Sequence, residues 1–69
     1  METYPMEKKT IQVDDEVITK ISKAGIPAGT FGVVTKIENE NIWVDVYIPA
    51  ESDIPEDTIR YIAEELQVQ

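Results

Sequence analysis

Hydrophobic and polar residues alternate most regularly near the middle of the chain. Ile42, Val44, Val46 and Ile48 form one set, and Trp43, Asp45 and Tyr47 form the other. A period of two marks a strand with two different faces. The aliphatic set is expected to face the core and the second set the opposite surface. Upstream, Val33, Val34 and Ile37 follow a pair of glycines, Gly29 and Gly32. Between the two runs lies Glu38-Asn39-Glu40-Asn41, and asparagine tolerates the left-handed conformations that turns require. The pattern predicts a β-hairpin over residues 27–48. Val34 and Ile37 are three apart, so a regular strand would turn them to opposite faces. A bulge or sharp bend is needed to bring both inward.

The flanking segments arrange themselves around this hairpin. Residues 1–10 have no periodicity and are expected to form a flexible N-terminal arm. Ile11 and Val13 alternate with Gln12 and suggest a short strand over 10–13. Asp14-Asp15-Glu16 reads as a turn, and the alternation of Val17, Thr19 and Ile21 predicts a strand over 16–22. Residues 22–28 form a loop, in which Ile26 is expected to tuck into the core. Gly25, Gly29 and Gly32 are assigned to turns. Pro49 ends the last hairpin strand, and 49–57 is an acidic, proline-bounded loop.

The segment after it supports two readings. As a helix over 54–67 it has the capping pair Asp53 and Glu56 and a face of Ile59, Ile62, Ala63 and Leu66. As a strand it offers the β-rich run 59–62, a single helical turn over 63–66, and a closing strand at Val68. The β character of the preceding chain favours the second.

Composition narrows the chemistry. The chain has 69 residues and contains neither cysteine nor histidine. Disulfides, thiolate or imidazole metal sites, and cysteine- or histidine-based catalysis are thereby excluded. A domain of this size buries roughly 60% of the surface its unfolded chain exposes, which leaves little volume for a deep cleft. Net charge is −8. Residues 1–37 hold five acids and five bases, whereas 38–69 hold nine acids and only Arg60. The scattered lysines disfavour phosphate binding, and the acidic half suits a basic protein partner. No apolar run has the length of a signal peptide or a membrane span, so a cytoplasmic location without membrane contact is expected.

Several specific chemistries lack their patterns. The acidic triplet at 14–16 has neither the alternating ligands nor the glycine of a calcium loop. Two glycines without GxxxxGK[ST] do not make a phosphate-binding loop. The carboxylate pairs Glu38/Glu40, Glu51/Asp53 and Glu56/Asp57 fall in turns and loops, where a general acid would stay solvated. No enzyme activity, metal or cofactor is expected.

Gly29-x-x-Gly32-x-Val34-x-x-Ile37, followed by Val44-x-Val46, resembles a KOW-type motif. Asp15-x-Val17 resembles the opening of such SH3-like domains, and Ile62-Ala63-Glu64-Glu65-Leu66 resembles their helical turn before the last strand. The resemblance spans 13–68 and is greatest to small bacterial SH3-like barrels with a PxGxxGxV core. It implies a mostly β fold: a five-stranded, strongly bent barrel over 11–69 with one short helical turn near the C-terminus. Asp14 stands where a glycine is usual, and the lysines of nucleic-acid-binding members are largely missing. The aromatic groove of proline-peptide binders has no counterpart set.

The function expected is a non-enzymatic interaction or accessory module. Its docking surface would consist of Trp43, Asp45 and Tyr47 with Glu38 and Glu40 beside them, because aromatics are enriched where partners bind. The alternative is a nucleic-acid- or ribosome-associated module, which the resemblance alone suggests. A monomer or weak homodimer is expected in solution.

Overall fold

The computed structural model describes residues 10–69. All of the expected arm except Thr10 lies outside the described residues. The chain forms five antiparallel strands in one sheet: β1 (Glu16–Thr19), β2 (Phe31–Glu38), β3 (Asn41–Tyr47), β4 (Asp57–Tyr61) and β5 (Leu66–Val68). A single 3-10 turn, Ala63–Glu65, precedes β5, and there is no α-helix among the described residues. The strand order is β4-β3-β2-β1-β5, so β4 and β5 are the edges and the sheet is not closed.

The β2–β3 hairpin is the centre of the sheet. Asn39, at φ +57°, and Glu40 make its turn. Glu38 then pairs with Asn41, Ile37 with Ile42 and Lys36 with Trp43. The register shifts between Val34 and Lys36, leaving Thr35 as the extra residue of a bulge. Val34 therefore sits opposite Val44 instead of Asp45, and Val34 and Ile37 share the face of Val44 and Ile42. The bulge the spacing required is there, but only Val34 joins the core, and Ile37, near the hairpin turn, stays 36% exposed.

The inner face of the sheet is the core. Val17, Val34, Ile42, Val44, Val46, Ile59, Tyr61 and Leu66 are buried together, and Ile11 and Val68 pack against them. Each fully buried aliphatic side chain contributes about 1.5–3 kcal/mol of transfer free energy, so these residues dominate stability. Gly32 lies inside β2, not in a turn as expected. A Cβ on it would come within 2.4 Å of a Val44 methyl and 2.9 Å of the Asp45 carbonyl oxygen. Its role is to let β2 and β3 approach closely. Gly29, at φ +90°, does serve a turn.

The long loop between β1 and β2 closes one end of the core. Lys23 and Ile26 exchange both backbone hydrogen bonds across Ala24 (φ +52°) and Gly25 (φ +83°). Two left-handed central residues make a tight hairpin turn, and Ile26 enters the core at 4% exposure. The buried Thr19 and Thr30 tie the loop down: both hydroxyls donate to the Pro27 carbonyl, and the Thr30 N–H donates to Thr19 Oγ1.

Besides the turn expected at Gly32, three expectations need correction, and the alternative reading of the C-terminal segment is not met. The strand predicted over 16–22 stops at Thr19: Lys20 N–H still reaches the Glu65 carbonyl in register with β5, and the chain bends away at Lys20 and Ile21. No strand forms over 10–13: the chain turns at Val13 and Asp14, and Val13 is 49% exposed. Ile48 leaves the inner face and is 44% exposed, since β3 ends at Tyr47. The helix over 54–67 does not form. Residues 57–61 pair with β3 from Val46 to Ile42, burying Ile59 and Tyr61 on alternate positions. That ladder satisfies backbone groups and the core at once, which outweighs a local capping signal. The strand, turn and closing strand of the favoured reading are all present.

Candidate functional site

The outer face of the sheet is built from the residues that alternate with the core. Register arranges them in three ranks across the strands. In the first, Gln67, Ile18, Phe31 and Tyr47 are neighbours. In the second, Glu16, Val33, Asp45 and Thr58 stand side by side. In the third, Lys36, Trp43 and Arg60 do so. Alternate residues on one strand are about 7 Å apart, so the ranks are spaced by roughly the width of a side chain.

Trp43, Asp45 and Tyr47 are each half-buried on this face, as the alternation predicted. Their immediate partners come from β2 and β4. The Tyr47 and Phe31 rings lie 6.1 Å apart and are tilted by 47°, a geometry that favours aromatic pairs. The Thr58 hydroxyl donates to Asp45 Oδ1 at 2.5 Å. The Lys36 ammonium sits 4.9 Å from the centre of the Trp43 ring, an exposed cation–π contact of about 0.5–1 kcal/mol.

The two glutamates named with this site part company. Glu38 is 3.8 Å from Lys36 Nζ and so joins the Trp43 rank through that lysine. Glu40 is not brought to it. It lies in the turn, at the rim of an open groove of about 780 Å³ on the core side, among Ile37, Ile42 and Leu66. That groove has a largely aliphatic floor, with Lys20 and Glu40 among the residues that line it.

Phe31, Val33, Lys36, Thr58 and Arg60 are site residues that the sequence reading missed. Each belongs to a neighbouring strand, so its place depends on register. The signal was present in two features: the two-residue turn and the odd spacing of Val34 and Ile37.

A second cluster pins the far side of the fold. Glu65 Oε1 accepts the Ile62 N–H and pairs with Lys23 Nζ, both at 3.1 Å. The Ile62 N–H, together with Lys23, holds the Glu65 carboxyl below the usual glutamate range. Lys23 also lies 5.0 Å above the Tyr61 ring. The buried Tyr61 hydroxyl has no hydrogen-bond partner among the described residues, and its burial, with the nearby Glu65 charge, raises its pKa. These contacts join the long loop to the 3-10 turn and are structural in character.

No helix among the described residues is long and apolar enough to cross a membrane. Compared with known proteins, the chain matches no family model, no curated protein and no solved structure.

Proposed function

We propose that this chain is a non-enzymatic protein-interaction module of the SH3-like, KOW-related kind that docks a partner through the outer face of β2, β3 and β4. The fold assignment is supported by the strand order, the long β1–β2 loop and the 3-10 turn before β5. The docking reading rests chiefly on one observation: a strand face that keeps Trp43 and Tyr47 half-exposed around a carboxylate, with Phe31 and Val33 beside them. Half-buried aromatics give large contact area with little loss of rotamer freedom, and they anchor many interfaces. The net charge of −8 favours a basic partner in the cytoplasm and speeds its approach.

Site-specific photo-crosslinking tests this reading. A benzophenone side chain placed at Arg60 is expected to trap a protein partner in cells, and one placed at Asn39, beside the groove, is not. Trapping from Asn39 alone would move the interface to the other side of the sheet.

The Lys36–Trp43–Arg60 rank favours one second reading, because cations beside an indole can also hold a stacked base and its phosphate. The surrounding acids oppose it. Binding of single-stranded nucleic acid that falls steeply with salt and disappears in Lys36→Glu would establish it.

A further inference from the structure

Asp45 occupies the middle of the outer face. The Thr58 hydroxyl fixes its Oδ1, and no other hydrogen bond reaches the carboxylate among the described residues. The ion pairs among those residues are Lys23–Glu65 and Lys36–Glu38, so Asp45 has no cation of its own. Two bases stand one rank away, yet Lys36 is directed to the Trp43 ring and to Glu38, and Arg60 is the cross-strand neighbour of Trp43. On the other side of Asp45 is the Phe31–Tyr47 pair, with Val33 adjoining. Glu16 lies beyond Val33 in the same rank, which puts a second carboxylate on the β1 side of the site.

We propose that Asp45, Phe31 and Tyr47 form a receptor for one arginine side chain of a protein partner. This rests on the docking reading above and specifies its chemistry. The guanidinium donates to the Asp45 carboxylate, its flat face lies on the Phe31–Tyr47 pair, and its aliphatic stem covers Val33. Arginine suits the site better than lysine for two physical reasons. Its planar fork of donors matches a carboxylate already held in one orientation. Its weakly hydrated plane also stacks on aromatic rings, which a compact ammonium does less well. The same face already shows that chemistry within the chain, where the Lys36 cation rests over Trp43. The overall negative charge complements a cationic partner and raises its local concentration.

The test is a nitrogen–proton NMR titration of the full chain with acetylated, amidated Gly-Arg-Gly, its lysine analogue and its citrulline analogue. Citrulline keeps the shape and removes the charge. The arginine peptide is expected to shift the amides of Phe31, Asp45, Tyr47 and Thr58 saturably. The citrulline peptide should bind about tenfold more weakly, the loss expected for one charge-assisted contact. Asp45→Asn should show the same loss while keeping a dispersed spectrum, since the Thr58 hydroxyl can still donate to an amide oxygen. Equal binding of the lysine peptide would overturn the guanidinium assignment. Shifts centred on 49–57 that survive Asp45→Asn would overturn the site, leaving only diffuse attraction to the acidic loop. Shifts on dilution without any peptide, abolished by Arg60→Ala, would make the occupant a second copy and overturn the proposal. The docking reading fails separately. If crosslinks from Arg60 persist in Asp45→Asn, the face stands and the arginine receptor falls. If the peptide binds at Asp45 but no protein is trapped there, the docking reading falls.

Discussion

The two faces of β3 differ more than any two elements of the molecule. On one side, Ile42, Val44 and Val46 are sealed against aliphatic neighbours from four other strands. On the other, Trp43, Asp45 and Tyr47 stay half-buried, and each meets a partner of different chemistry: a lysine, a hydroxyl and a phenyl ring. One face is uniform and non-directional, so it specifies the fold through volume and packing. The other is varied and directional, which makes it suitable for recognition. Seven consecutive residues thus divide their duties by parity alone.

The largest effect is expected on the inner face. Gly32→Ala drives a methyl into Val44 and the Asp45 carbonyl, and overpacking of this kind costs about 1–3 kcal/mol. Urea denaturation should show a lower midpoint with an unchanged slope. A wild-type midpoint would mean that the two central strands are less closely packed than described.

On the outer face the balance between stability and binding should reverse. Trp43→Ala removes cross-strand contacts worth about 1 kcal/mol or less, so its urea midpoint should move less than that of Gly32→Ala. Its capture of a partner through the Arg60 crosslink should nevertheless fail. If Trp43→Ala unfolds the chain, this face is a second core and the contrast collapses.

The Glu65 pin sharpens the comparison by adding pH. The carboxyl is held below its ordinary range in the fold, so the folded state binds its proton later than the unfolded chain does. Its contribution is complete above the unfolded glutamate value and is lost as pH falls through the depressed folded value. Glu65→Gln should therefore lose about 1 kcal/mol at neutral pH, the net worth of its charge-assisted bonds. The gap to wild type should close in acid. A gap that is constant with pH would assign the effect to packing.

The smallest effect concerns a polar group on the inner face. The Tyr61 hydroxyl is buried without a partner among the described residues, so Tyr61→Phe removes a desolvated polar group and none of the bonds seen there. Thermal melting at neutral pH should show equal or slightly higher stability, by about 1 kcal/mol at most. A clear loss would reveal a bond that the hydroxyl makes.

Much of the inner face can be read directly from the chain. The alternation of β3, the polar turn at Asn39 and the odd spacing of Val34 and Ile37 together specify the hairpin and its bulge. Local patterning misled where a neighbour or a proline decided the outcome. Ile48 continues the period of β3, yet the strand ends before it. The capping pair Asp53 and Glu56 suggests a helix, yet pairing with β3 makes β4. The candidate site was legible only along one strand. Trp43, Asp45 and Tyr47 share a face by parity, but Lys36, Thr58 and Arg60 reach it through register, which depends on turn length and on Thr35. A shift of one residue would have moved every one of them to the other side.

The most direct test of the division between faces is a paired measurement on Asp45→Asn/Tyr47→Thr. Its urea midpoint and its crosslinking from Arg60 are recorded on the same preparation. The account predicts a midpoint close to wild type together with loss of the trapped partner. A large fall in midpoint with the partner still trapped would contradict it, and would place these residues with the core.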